Sequence, residues 1–99
     1  MLDFENITGF DWDSGNKNKN EDKHGITTKE SEEVFKNEPF ILSGNPNNKE
    51  IRYMALGESD SAKLLAVVFT IRKDKIRIIS ARPQSKKERS FYYAKYKQE

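Results

Sequence analysis

The side chains best suited to chemistry in this chain are basic: Lys23 and His24, then Arg52, Arg72, Lys75, Arg77, Arg82 and Lys86. An arginine presents a planar fork of N–H donors that fits a phosphate or carboxylate bidentately. A histidine titrates near neutrality and can hold or release a proton. Arg77 is the sharpest member because it stands inside an apolar strand pattern, where it needs a partner. That partner is either an anionic ligand or an acid from the first half of the chain. Arg82 closes the same pattern, as cations at strand ends commonly do. Lys23 and His24 also suit the C-terminal end of a helix, where cations meet the dipole. Tyr92, Tyr93 and Tyr96 have faces on which bases could stack, although their spacing suits a helix core equally well. Glycine-rich phosphate loops, HExxH and paired Ser/His/Asp spacing are absent.

The element that must position the arginines is the run from Lys63 to Arg82. Leu65, Val67, Phe69 and Ile71 alternate with Ala66, Val68 and Thr70, and after Lys73-Asp74 the pattern resumes with Ile76, Ile78 and Ile79. β-Branched and aromatic residues at period two around a short polar break predict a β-hairpin. A loop of two or four residues pairs Ile71 with Ile76, Phe69 with Ile78, Val67 with Ser80 and Leu65 with Arg82 on an apolar face. It pairs Arg72 with Lys75, Thr70 with Arg77, Val68 with Ile79 and Ala66 with Ala81 on the other. The second face is apolar in the middle and cationic towards the turn. A slip of one residue would exchange the faces of one strand.

With 99 residues the chain has room for one domain and one small core, since hydrophobic and charged residues each make up 34%. There is no cysteine, which suits a reducing cytoplasm, and a lone histidine argues against a His-based metal cluster. No apolar run reaches the roughly 20 residues of a membrane span, and Met1 to Gly9 lacks a signal pattern. The expected location is cytoplasmic, with no cofactor. Charge is asymmetric: residues 1–48 carry five Lys or Arg against ten Asp or Glu, and residues 49–99 carry thirteen against six. A basic second half suggests a polyanion as partner, unless the halves intermix in space and the asymmetry cancels.

In chain order, residues 1–9 read as a loose extension before a single domain over 10–99. Phe10-Asp11-Trp12 reads as a short edge strand with both aromatics inward. A helix over about 14–24 follows, capped by Asp13 or Ser14, with Gly25 as its C-terminal stop. Its Gly15, Asn16, Asn18 and Asn20 disfavour helix, so tertiary contacts must hold it. A second helix opens at Thr27 or Thr28, where Thr27 and Glu30 have capping-box spacing, and Pro39 ends it. Phe40–Ser43 is a strand, Gly44 to Asn48 a turn, and Ile51–Gly57 the next strand. The central hairpin comes next. Ser85 with Glu88 opens a last helix to about Lys97, with Phe91, Tyr92 and Tyr96 as its apolar stripe. Two N-terminal helices, an antiparallel four-stranded meander and a C-terminal helix make an α+β domain.

These residues also carry a resemblance. Phe10-Asp11-Trp12-Asp13 followed by Asn20-Glu21-Asp22-Lys23-His24-Gly25-Ile26 is similar to the opening of the BrnT family of bacterial toxins, F-x-W-D and then N-x-x-K-H-G-V. Val34-Phe35 with Pro39 resembles that family's V-F-x-D-P, with Asn37-Glu38 inserted or substituted. Glu50-Ile51-Arg52-Tyr53 with Leu56-Gly57, Leu65 to Phe69, and Ile76-Arg77-Ile78-Ile79-Ser80-Ala81-Arg82 follow in the family's order. Lys87-Glu88-Arg89 with Tyr92 or Tyr93 resembles its terminal helix. One departure is Asn16, where the family usually has lysine.

The resemblance implies a RelE-like fold and a metal-independent ribonuclease that blocks translation. It also implies neutralisation by a ribbon-helix-helix antitoxin of the BrnA type. On that expectation Arg77 and Arg82 hold the phosphate, Lys23 assists, and His24 donates or accepts the proton. Arg52, Arg72, Lys75 and Lys86 contact neighbouring phosphates of the RNA. Two other classes compete. One is an adaptor whose basic face binds an acidic protein or nucleic acid without cutting it. The other is an inactive toxin kept as a co-repressor partner, which Asn16 leaves open.

Overall fold

The protein is described from a computed structural model that covers residues 7–12, 25–47 and 50–96. The elements are β1 (Gly9–Phe10), α1 (Thr28–Lys36), β2 (Phe40–Asn47), β3 (Glu50–Glu58), β4 (Leu64–Arg72), β5 (Lys75–Pro83) and α2 (Lys86–Tyr96). They build one sheet in the order β1-β5-β4-β3-β2. β2 to β5 are the expected antiparallel meander, and β1 joins its edge in parallel, Gly9 opposite Lys75 and Phe10 opposite Ile76. The class is α+β, with two helices among the described residues. The helix expected over 14–24, with Lys23 and His24, lies outside them.

Local chemistry accounts for both helix starts. Thr27 Oγ1 accepts from the Glu30 N–H at 3.1 Å while the Thr27 N–H donates to Glu30 Oε1 at 3.0 Å. This reciprocal pair satisfies two otherwise orphaned donors. Ser85 and Glu88 repeat the device, with Glu88 N–H donating to Ser85 Oγ at 3.2 Å and Ser85 N–H to Glu88 Oε1 at 2.8 Å.

The inner face of the sheet packs against α1. Val34, Val67, Phe69, Ile76 and Ile78 are buried together there, with Ile26 before the helix. Aromatic rings cross this face in a chain: Phe10 to Phe35 at 5.7 Å, Phe35 to Phe69 at 4.9 Å and Phe69 to Tyr53 at 5.4 Å. Each such buried side chain contributes about 1.5–3 kcal/mol by leaving water. The outer face has a smaller cluster where α2 lies over it, made of Leu56, Ala66 and Tyr92 with Phe40, Leu42, Met54 and Leu64 around them.

Four expectations are corrected. The tail of the supposed loose extension is docked, since the Thr8 N–H donates to the Asp74 carbonyl at 2.8 Å and Ile7 packs on the core. The edge strand is Gly9–Phe10 rather than 10–12, although Phe10 and Trp12 both reach the core as expected. Gly44 to Asn47 is not a turn but the continuation of β2 through an irregularity between Ser43 and Pro46. A Cβ at Gly44 would stand 2.2 Å from the Arg52 carbonyl, so the glycine serves close strand approach. Finally, Phe91 is not part of a buried stripe: it is 42% exposed, and Tyr92 alone of Phe91, Tyr92 and Tyr93 is buried.

Candidate functional site

The site is built by a slip in the central hairpin. Lys73 and Asp74 form its two-residue turn with φ of +50° and +61°, the paired positive values of a type I′ turn made without glycine. From there the pairing follows expectation: Arg72 with Lys75, Ile71 with Ile76, Thr70 with Arg77 and Phe69 with Ile78. Then it shifts. Val68 faces Ser80 rather than Ile79, Val67 faces Ala81, and Ala66 faces Arg82. Ile79 is the extra residue of a β-bulge. Arg77 and Arg82 are five residues apart and would point to opposite faces of a regular strand. The bulge turns both to the outer face, while Ile76, Ile78 and Ala81 all stay buried inside.

Around Arg77 the outer face is cationic. Strand alternation places Arg52 on the same face as Met54, next in register to Thr70 on β4, with Arg77 beyond it on β5. The Thr70 hydroxyl donates to the Ile51 carbonyl at 2.9 Å and fills the middle of this row. Arg52 and Arg77 therefore flank Thr70 two strand spacings apart, about 10 Å at the backbone. Arg72 and Lys75 extend the same face to the hairpin tip. There Asp11, Arg72, Lys73 and Lys75 line a cavity of about 600 Å³. Arg52 Nε is buried and has no hydrogen-bond partner among the described residues, a donor whose desolvation is left uncompensated.

Two carboxylates engage the arginines, in different ways. Asp11, set by its N–H donating to the Ile76 carbonyl at 2.8 Å, puts Oδ2 3.6 Å from Arg77 Nη1. That is a loose ion pair between side chains 20% (Arg77) and 38% (Asp11) exposed. Glu88 instead accepts from Arg82 Nη1 at 2.7 Å and Nη2 at 2.8 Å, a bidentate pair. Hydrogen bonding by the guanidinium brings the Glu88 carboxyl down to about 2, and the same bonds raise Arg82 above its ordinary value. Arg82 Nη1 also donates to the Pro83 carbonyl at 3.2 Å. Arg82 thus clamps the first turn of α2 to the end of β5.

Of the expected site residues, Arg52, Arg72, Lys75 and Arg77 come together on the outer face. Arg82 shares that face about 13 Å further along, four residues of β4 at about 3.3 Å each. Lys86 is exposed on the first turn of α2. Lys23 and His24 lie outside the described residues. Ile26, two residues after His24, packs on the inner face, opposite Arg77. Residue spacing did not point to Asp11 or to the pairing of Glu88. Ser85-x-x-Glu88 marked a helix cap, but nothing local marked that the same carboxylate would take Arg82.

A model of the ribonuclease toxins, BrnT, of type II toxin–antitoxin systems matches residues 12–88. The chain belongs to the BrnT family. The crystal structure of the Brucella abortus ribonuclease toxin BrnT, at 1.1 Å resolution, is similar with a TM-score of 0.57 and 25% identity. The match covers 81% of this chain and 100% of that one. Comparison with curated proteins yields no match. The BrnT match encloses Arg52, Arg77, Arg82 and Glu88, and it begins one residue after Asp11.

Proposed function

We propose that this BrnT-family chain is a metal-independent endoribonuclease of RelE-like fold that inhibits translation in the cytoplasm. A ribbon-helix-helix antitoxin would neutralise it. The observation that carries the reading is the cationic row on the outer face, in a chain whose family is that of ribonuclease toxins. Among the described residues no group of His, Cys, Asp or Glu suited to a metal ion gathers, and no helix is long and apolar enough to cross a membrane.

In this reading the RNA 2′-oxygen attacks the adjacent phosphorus and the bond to the 5′-oxygen breaks. The products are a 2′,3′-cyclic phosphate and a free 5′-hydroxyl. Charge grows on the non-bridging oxygens in between, and preplaced cations lower that barrier most. Arg77 takes the scissile phosphate by exchanging Asp11 for it. Arg52, Arg72 and Lys75 hold flanking phosphates, and Lys86 extends the track onto α2. Arg82, already committed to Glu88, contributes chiefly by fixing α2 beside the site. Lys23 assists at the phosphate and His24 moves the proton to or from the reacting oxygens, roles that require the segment before Ile26 to bring both side chains round from the inner face to Arg77.

Incubating the purified protein with RNA and a chelator tests the reading: cleaved RNA with cyclic phosphate ends is expected. RNA that is retarded but intact would make the chain a binder instead. Full cleavage and growth arrest by Arg77→Ala, Arg82→Ala and His24→Ala alike would overturn the assignment of residues.

A further inference from the structure

Helix α2 is held to the sheet side by Tyr92, by the Glu88 pair and by the Arg89 Nη1 bond to the Gln84 carbonyl, and leaves a flank of unusual character facing solvent. Lys87, Phe91 and Lys95 follow one another at four-residue spacing and are all exposed, so they form a stripe along that flank. Phe40 of β2 adjoins it, its ring 5.3 Å from that of Phe91. Lys95 Nζ lies 5.6 Å from the Phe40 ring centre and 5.8 Å from that of Phe91. The flank is therefore an apolar step between two cations, and Glu88, the one acid of α2, is turned away into its pair with Arg82.

We propose that this stripe is the docking surface for an acidic segment of the cognate antitoxin, one carrying an apolar anchor residue. The proposal rests on the family reading, which supplies an antitoxin as partner. Charge selects an acidic occupant, since Lys87 and Lys95 have no exposed acid of α2 beside them. The ring geometry selects a protein over RNA. Lys95 holds its ammonium near both ring centres, so a base stacking there would compete with it. An apolar side chain can pack against the ring edges while its neighbouring carboxylate pairs with Lys95. Truncating an aromatic anchor of this kind typically weakens an interface by tenfold or more. Phe91 and Lys95 lie beyond the residues that match the family model.

The test is titration calorimetry of the purified chain with the antitoxin protein encoded beside it, using Phe91→Ser and, separately, Lys95→Glu. Both sites are exposed, and Lys95→Glu keeps the helix intact if Phe91→Ser disturbs it. The expected result is a Kd raised about tenfold or more by each change, with RNA cleavage by the free chain unaltered. Unchanged affinity in both variants overturns the surface while leaving the partner in place. Loss of RNA cleavage with antitoxin affinity retained assigns the stripe to RNA and overturns it. Loss of self-association alone assigns it to a second copy and overturns it too. Absence of binding by the unaltered chain removes the partner reading itself.

Discussion

On the outer face strand β5 carries two arginines, Arg77 and Arg82, and their carboxylate partners differ in kind. At the hairpin end Arg77 meets Asp11 across 3.6 Å, through one nitrogen, beside an open cavity. At the α2 end Arg82 is gripped by both oxygens of Glu88 at 2.7 and 2.8 Å. The Asp11 contact itself is one that an anion arriving from solvent can displace at little cost. To win Arg82 the anion must break two short charge-assisted bonds and loosen a helix start. The same residue type thus serves recognition at one end and scaffolding at the other. The difference is set by the partner's geometry, not by the arginine.

The contrast can be broken most directly at Arg77. Arg77→Ala is expected to lower the rate of RNA cleavage about 100-fold, the typical cost of one preplaced donor, while thermal unfolding changes little. A large fall in Tm with cleavage intact would reverse the roles assigned to the two ends. At the other end, Glu88→Gln is expected to destabilise the fold by about 2 kcal/mol, because Arg82 loses a charged partner at a half-buried position. The Glu88 carboxyl titrates lower in the folded state than its ordinary 4.5, at about 2, so its contribution is complete above that ordinary value. Stability is therefore lost as pH falls from about 4.5 towards 2, and Glu88→Gln should flatten that limb of the unfolding curve. A limb unchanged by the substitution would mean the pair contributes nothing. The smallest effect is expected from Asp11→Asn, which removes one competitor for Arg77. RNA binding should tighten about threefold, a gain of the size that one exposed ion pair permits. Weaker binding instead would show that Asp11 orients Arg77 rather than occupying it.

Much of the architecture was legible because its causes are local. Thr27 with Glu30 and Ser85 with Glu88 marked the helix starts, since a cap needs only residues three apart. The period-two run from Leu65 to Ile78 marked the hairpin and the register of its outer half. Gly44 misled for a physical reason: a glycine before Asn and Pro signals a turn, but here it lets β2 pass close to the Arg52 carbonyl. Phe91 misled because helical spacing shows which residues share a face, not how wide a strip the sheet can cover.

The sequence by itself determined that a basic second half would carry an apolar hairpin studded with arginines, and its ordered blocks pointed to the BrnT family. It could not determine that Arg77 and Arg82 share a face. Their odd spacing puts them on opposite sides of any regular strand. Only the bulge at Ile79, where the packing of Ile78 and then Ala81 on the inner face absorbs one residue, brings them together. Nor could it assign their partners, because Asp11 reaches Arg77 through a parallel pairing some sixty-six residues away in the chain. Alternation along a strand is a local property, whereas a slip in register and a long-range ion pair are decided by what packs on the other side.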